Sequence, residues 1–130
     1  MTDTVQDPRE AVLIAADALA SKKGLDIVLL DVGDLFQITE VFVIASGTSR
    51  PHVKSLVESV EERMRECGRK PLREEGTREG EWVLVDYGDF VVHVFQPAPR
   101  DFYGLERLWG DAPRLPWEEK IPEASGKSVS

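Results

Sequence analysis

The stretch Trp82-Val83-Leu84-Val85-Asp86-Tyr87-Gly88-Asp89-Phe90-Val91-Val92-His93-Val94-Phe95 decides how this chain folds. Apolar and β-branched residues flank a Tyr-Gly-Asp break, the pattern of two strands joined by a tight turn. Taking Tyr87-Gly88 as the loop pairs Asp86 with Asp89, Leu84 with Val91 and Trp82 with His93. One face of the hairpin then carries Trp82, Leu84, Asp86, Asp89, Val91 and His93. The other carries Val83, Val85, Phe90, Val92 and Val94 and reads as core. The first face mixes an aromatic anchor with apolar and polar groups. That composition suits a contact with another protein. It also suits a second face covered by a helix.

Working outward, Asp7-Pro8-Arg9-Glu10 has the pattern of a helix start, with Asp7 as cap and Pro8 in the first turn. Val12, Ala16, Leu19 and Lys23 follow one stripe, and Gly24 is placed to end the helix in a left-handed turn. Leu25 to Val32 and Val41 to Ala45 read as strands covered on both faces, with Gly33 to Thr39 between them. Ser46-Gly47-Thr48-Ser49 leads into an amphipathic helix from Arg50 to about Gly68, with Thr48 or Ser49 as cap. Val53, Leu56, Val57, Val60, Met64 and Cys67 line its apolar stripe, so Cys67 is expected in the core. Arg69 to Glu81 reads as a loop. Arg100 to Trp109 reads as a short helix. The order predicts an α/β fold, a small mixed sheet flanked by helices. The expected domain spans residues 1–112, followed by a flexible tail over 113–130 rich in proline, charge, glycine and serine.

The chain has 130 residues and a net charge of −8. One domain with one core is the expectation at this size. The single cysteine forbids an internal disulfide. No run approaches the roughly 20 apolar residues that span a bilayer, and the acidic Met1 to Asp7 segment lacks the apolar core of a secretory signal. These features predict a cytoplasmic protein without a membrane partner. Phosphate neutralisation by lysine and arginine dominates nucleic-acid affinity, so a net-acidic chain is a poor candidate for binding RNA or DNA directly. It is better suited to meeting a basic protein.

Residues that could carry chemistry are few. Ser46-Gly47-Thr48-Ser49 could hold a phosphate at a helix start, but it lacks the lysine and spacing of a P-loop. A glycine-serine turn before a helix also fits nucleotidyltransferases, which need closely spaced carboxylates for two magnesium ions. Here Asp86 and Asp89 sit at opposite ends of a turn, and Asp26 and Asp31 point to opposite strand faces. The two acids of the hairpin are expected to serve the turn itself. His52 and His93 have no second ligand at metal spacing, so neither a metal nor any other cofactor is expected.

Four stretches in this order resemble the ribosomal silencing factor, or Iojap-like, family. They are Leu25-Asp26-Ile27-Val28-Leu29-Leu30-Asp31-Val32, Phe42-Val43-Ile44-Ala45-Ser46-Gly47-Thr48-Ser49, Trp82 to His93, and Tyr103-Gly104-Leu105-Glu106-Arg107-Leu108-Trp109. The resemblance covers roughly Pro8 to Ala112. It implies a nucleotidyltransferase-like fold without catalysis, and a homodimer. It also implies binding to the fourteenth protein of the large ribosomal subunit, which would block joining of the small subunit and repress translation when nutrients are short. The family's contact residues map onto Trp82 and Tyr87, and the hairpin register adds Leu84, Val91 and His93. The competing expectation is a nucleotidyltransferase-type enzyme acting on a nucleotide.

Overall fold

Asp7 opens the first helix as expected. Its carboxylate accepts from the Arg9 N–H at 3.0 Å, and Pro8 occupies the first turn, where an amide would have no helical partner. The computed structural model describes residues 7–33, 41–97, 100, 113–115 and 117. Their elements run α1 (Pro8–Ser21), β1 (Leu25–Asp31), β2 (Val41–Ser46), α2 (Arg50–Glu66), β3 (Arg73–Glu75), β4 (Trp82–Asp86) and β5 (Phe90–Phe95). The expected helix from Arg100 to Trp109 lies outside the described residues, apart from Arg100.

The strands form one sheet in the order β1-β2-β5-β4-β3. β2 and β5 run parallel, and the other neighbours run antiparallel. This is the mixed sheet that the element order predicts. Ala11, Val12, Ala15 and Leu19 of α1 and Val53, Leu56, Val60 and Met64 of α2 pack with Val43, Ala45, Val83, Val85, Phe90, Val92 and Val94 in one buried cluster. Both helices therefore cover the same face of the sheet. Period-2 alternation in β4 supplies that face with Val83 and Val85 and turns Trp82, Leu84 and Asp86 the other way. A second, smaller cluster holds Leu30, Val32, Phe42, Ile44, Val91 and Phe95, with Val28, Trp82 and Leu84 at its margin.

Four expectations need correction. The hairpin loop is Gly88-Asp89, not Tyr87-Gly88. Gly88 takes φ +93°, the Tyr87 N–H donates to the Phe90 carbonyl at 2.9 Å, and the register pairs Trp82 with Phe95 and Leu84 with His93. Only glycine enters that first loop position without strain. The slip is two places along one strand, so every side chain keeps its face. Arg69 to Glu81 is not all loop, because Arg73–Glu75 pairs with β4. All three of its residues are exposed, so it carries no hydrophobic pattern. Cys67 is only partly buried, because α2 ends at Glu66 and Cys67 is its C-cap, one turn beyond the last buried residue of the stripe, Met64.

The fourth correction concerns the end of α1. The left-handed residue is Lys23, at φ 64°, not Gly24. The Lys23 N–H reaches the Ala20 carbonyl at 2.9 Å, and the Gly24 N–H reaches that of Leu19 at 2.8 Å. These are the paired bonds of a Schellman cap, which puts Gly24 one place past the left-handed position. A Cβ on Gly24 would meet the Leu19 carbonyl oxygen at 2.9 Å. A non-glycine residue in this conformation costs about 1–2 kcal/mol. Lys23→Gly is therefore expected to stabilise the protein by about 0.5 kcal/mol after the extra freedom of the unfolded chain is counted. Urea unfolding of the two proteins measures it. Gly68 shows the arrangement that the rule prefers: at φ 79° it closes α2 with the same pair of bonds.

Candidate docking surface

The sheet face turned away from α1 and α2 is built in rows. Across it lie Arg73, Asp86, Val91, Phe42 and Leu30, then Glu75, Leu84, His93, Ile44 and Val28, then Trp82, Phe95 and Ser46. Residues side by side in such rows pack directly on one another. The rows grade from a buried centre to an open margin. Ile44 and Phe95 are inaccessible, Val91 and His93 nearly so, and Trp82 and Leu84 are half-buried.

The structure thus brings together four of the five expected site residues. Trp82 and Leu84 form a half-buried ridge, while Val91 and His93 are buried beside it. Tyr87 is separated from them. It shares the parity of Val83 and Val85, stacks on Phe90 with ring centres 5.0 Å apart, and belongs to the helix-covered core. Burial pushes its hydroxyl pKa well above the ordinary value, and that hydroxyl has no hydrogen-bond partner.

Among the described residues, His93 and Phe95 hold Trp82. Its indole N–H donates to His93 Nδ1 at 3.1 Å, and its ring stacks on Phe95 at 5.0 Å with 23° between the planes. Phe42 meets the His93 ring edge-on at 4.7 Å. Phe95 and Phe42 pack into this face and are not assigned to it by sequence reasoning. Strand alternation from Val91 and His93 points to Phe95, whereas Phe42 needs the knowledge that β2 lies beside β5.

Burial pushes the His93 imidazole from its ordinary 6.5 down to about 4, opposed weakly by the Asp86 carboxylate. Between those values the unfolded chain takes up a proton that the folded chain refuses. Stability from this group is complete above about pH 6.5 and falls as the pH drops toward 4, by up to ~1.4 kcal/mol per pH unit. Urea unfolding at pH 7 and pH 5 is expected to show this loss in the wild-type protein and to lack this component in His93→Asn.

The acids of the hairpin are committed locally. Asp86 accepts from the Gly88 N–H at 2.8 Å and from Arg73 Nε at 3.3 Å. Asp89 does not serve the turn amides as expected. Its two oxygens accept from both terminal nitrogens of Arg69 at 2.9 Å, which ties the turn to the end of α2. At the start of α2, Ser49 caps by accepting from the His52 N–H at 3.2 Å, and the Thr48 N–H donates to His52 Nδ1 at 2.9 Å. The Ser46 hydroxyl accepts from Arg100 at 2.8 Å. Capping and packing thus engage the polar groups that a phosphate would need. Among the described residues no three His, Cys, Asp or Glu side chains gather as a metal site, and no helix is long and apolar enough to cross a membrane.

Fold and face define a small α/β module with one sheet side closed by helices and an aromatic ridge on the other. A family model described as ribosomal silencing factor during starvation matches residues 5–129. The ribosomal silencing factor of Chromobacterium violaceum is 44% identical over 102 residues, covering 78% of this chain and 84% of that one. The Bacillus subtilis ribosomal silencing factor is 41% identical over 100 residues, covering 77% and 85%. A mouse protein named for mitochondrial assembly of the ribosomal large subunit is 33% identical over 94 residues, covering 70% and 41%. A solved Chromobacterium violaceum structure aligns at TM-score 0.79 and 37% identity, covering 93% of this chain and all of its own. The chain belongs to the ribosomal silencing factor family.

Proposed function

We propose that this protein binds the large ribosomal subunit through its fourteenth protein and blocks joining of the small subunit, repressing translation under nutrient limitation. The observation that carries this reading is the half-open indole of Trp82, fixed by His93 and Phe95 on the sheet face opposite α1 and α2. A rigid aromatic at the margin of a buried apolar cluster is the usual anchor of a protein contact. Leu84 extends the ridge, and Val91 and His93 support it from below. The mechanism is steric: a domain on the intersubunit face overlaps the approaching subunit, and no bond is made or broken. The net charge of −8 favours encounter with a basic ribosomal protein.

The protein acts in the cytoplasm, pairs as a homodimer when free, and is not an enzyme. The commitment of Asp86 and Asp89 to Arg73, Gly88 and Arg69 supports the last point, as do relatives named for silencing. Sedimentation of purified subunits with and without this protein tests the reading. The expected result is that it travels with the large subunit and lowers the yield of joined ribosomes. Unchanged joining at saturating protein would refute it.

A further inference from the structure

We propose that His93 is a positioning residue for docking: it sets the orientation of the Trp82 indole from beneath the surface and makes no contact with the partner itself. This inference rests on the docking role proposed for Trp82. The two residues are not directly opposed across the hairpin, because Trp82 faces Phe95 and Leu84 faces His93. The indole reaches diagonally along the face to place its N–H 3.1 Å from Nδ1. Accepting there puts the imidazole proton on Nε2. That nitrogen is buried and has no hydrogen-bond partner. His93 is 4% exposed, so it is out of a partner's reach.

A buried histidine with an orphaned N–H is an expensive way to fill space in a sheet of valines, isoleucine and phenylalanine. A leucine would fill the same position without an unmet donor. What leucine lacks is the acceptor. Stacking on Phe95 sets the plane of the indole, and the hydrogen bond to His93 gives its N–H edge a fixed acceptor. The stack and the hydrogen bond together fix both the plane and the direction of the N–H edge. An anchor ordered before contact loses less freedom on binding than one that must be ordered during it. Asp86 and Glu75 are the charged groups in the rows beside His93, and neither is hydrogen-bonded to its ring by the contacts that hold it.

The test compares Trp82→Ala, His93→Leu and His93→Asn for binding to purified large ribosomal subunits. Stability and the Trp82 indole N–H resonance are followed in parallel, with a Trp82→Phe spectrum to assign that resonance. Asparagine places an amide oxygen close to where Nδ1 stands. We expect His93→Leu to be as stable as wild type or more so at neutral pH, to lose the hydrogen-bonded indole signal, and to bind about tenfold more weakly, the cost of ordering one freed side chain. His93→Asn should restore both signal and binding. If Trp82→Ala binds poorly while His93→Leu binds like wild type, the positioning role is wrong and the docking face stands. If both His93 variants are equally weak, the histidine acts only as packing and the positioning role is again wrong. If Trp82→Ala binds normally, the docking reading itself fails and this inference goes with it. Should His93→Leu not fold, His93→Asn decides alone: wild-type signal with wild-type binding supports positioning, and loss of the signal without loss of binding overturns it.

Discussion

Trp82→Ala is expected to weaken binding to the large ribosomal subunit by about thirtyfold or more, equivalent to ~2 kcal/mol. The size follows from what the indole does. It is a large apolar surface already fixed by Phe95 and His93, so in the proposed docking it would bind without first being ordered. Truncation leaves Phe95 exposed and removes the N–H donor that His93 Nδ1 accepts. The fold should survive, because the helix-side cluster does not include Trp82. A stability loss of about 1–2 kcal/mol is expected from a half-buried aromatic, less than the ~3–5 kcal/mol of a fully buried one. Co-sedimentation at increasing concentration gives the affinity change, and a urea melt separates it from unfolding. Leu84→Ala should follow the same direction with a smaller effect, since aliphatic side chains are seldom dominant anchors.

Gly76→Ala is expected to cost about 3 kcal/mol of stability, the larger of the two glycine effects in the turn before β4. Gly76 holds φ +83°, and a Cβ there would collide with the main-chain oxygen of Trp82. The left-handed conformation alone costs a non-glycine residue about 1–2 kcal/mol. The collision adds to this because a strand backbone, not a side-chain tip, must move. Gly80→Ala provides the contrast. Its Cβ would meet the Arg50 side chain at 2.7 Å, and a flexible stem can swing aside. Denaturant unfolding of both variants should rank them in that order. Docking by the folded fraction of Gly76→Ala should also fall, because the strain lands on the residue that carries the anchor.

The hairpin shows both what the sequence reveals and where its signal stops. Alternation in β4 and β5 assigns every side chain to the correct face even though the loop falls one residue later than expected. The slip preserves parity, so which residues share the face of Trp82 was legible while their register was not. Only backbone geometry distinguishes Tyr87-Gly88 from Gly88-Asp89, since glycine suits either loop. Alternation also places Tyr87 with Val83 and Val85, inside the core, whereas the family resemblance put it on the contact surface. β3 had no apolar pattern to read, because it exists through pairing with β4. Phe42 and the rows that join β1 and β2 to the site depend on the parallel neighbour relation of β2 and β5. That relation brings together residues some fifty positions apart and leaves no local trace.

One outer strand has a further consequence for anyone who shortens this protein. Just past the expected boundary at residue 112, the Pro113 carbonyl accepts from Asp31, the Leu115 N–H donates to Leu29, and Arg114 bridges Leu30. These few residues act as a selvedge along β1. A chain cut after residue 112 would leave those main-chain groups open to a neighbouring molecule's strand. Such a truncation is expected to self-associate in dilute buffer, so the trimmed form would confuse any measurement of its natural stoichiometry.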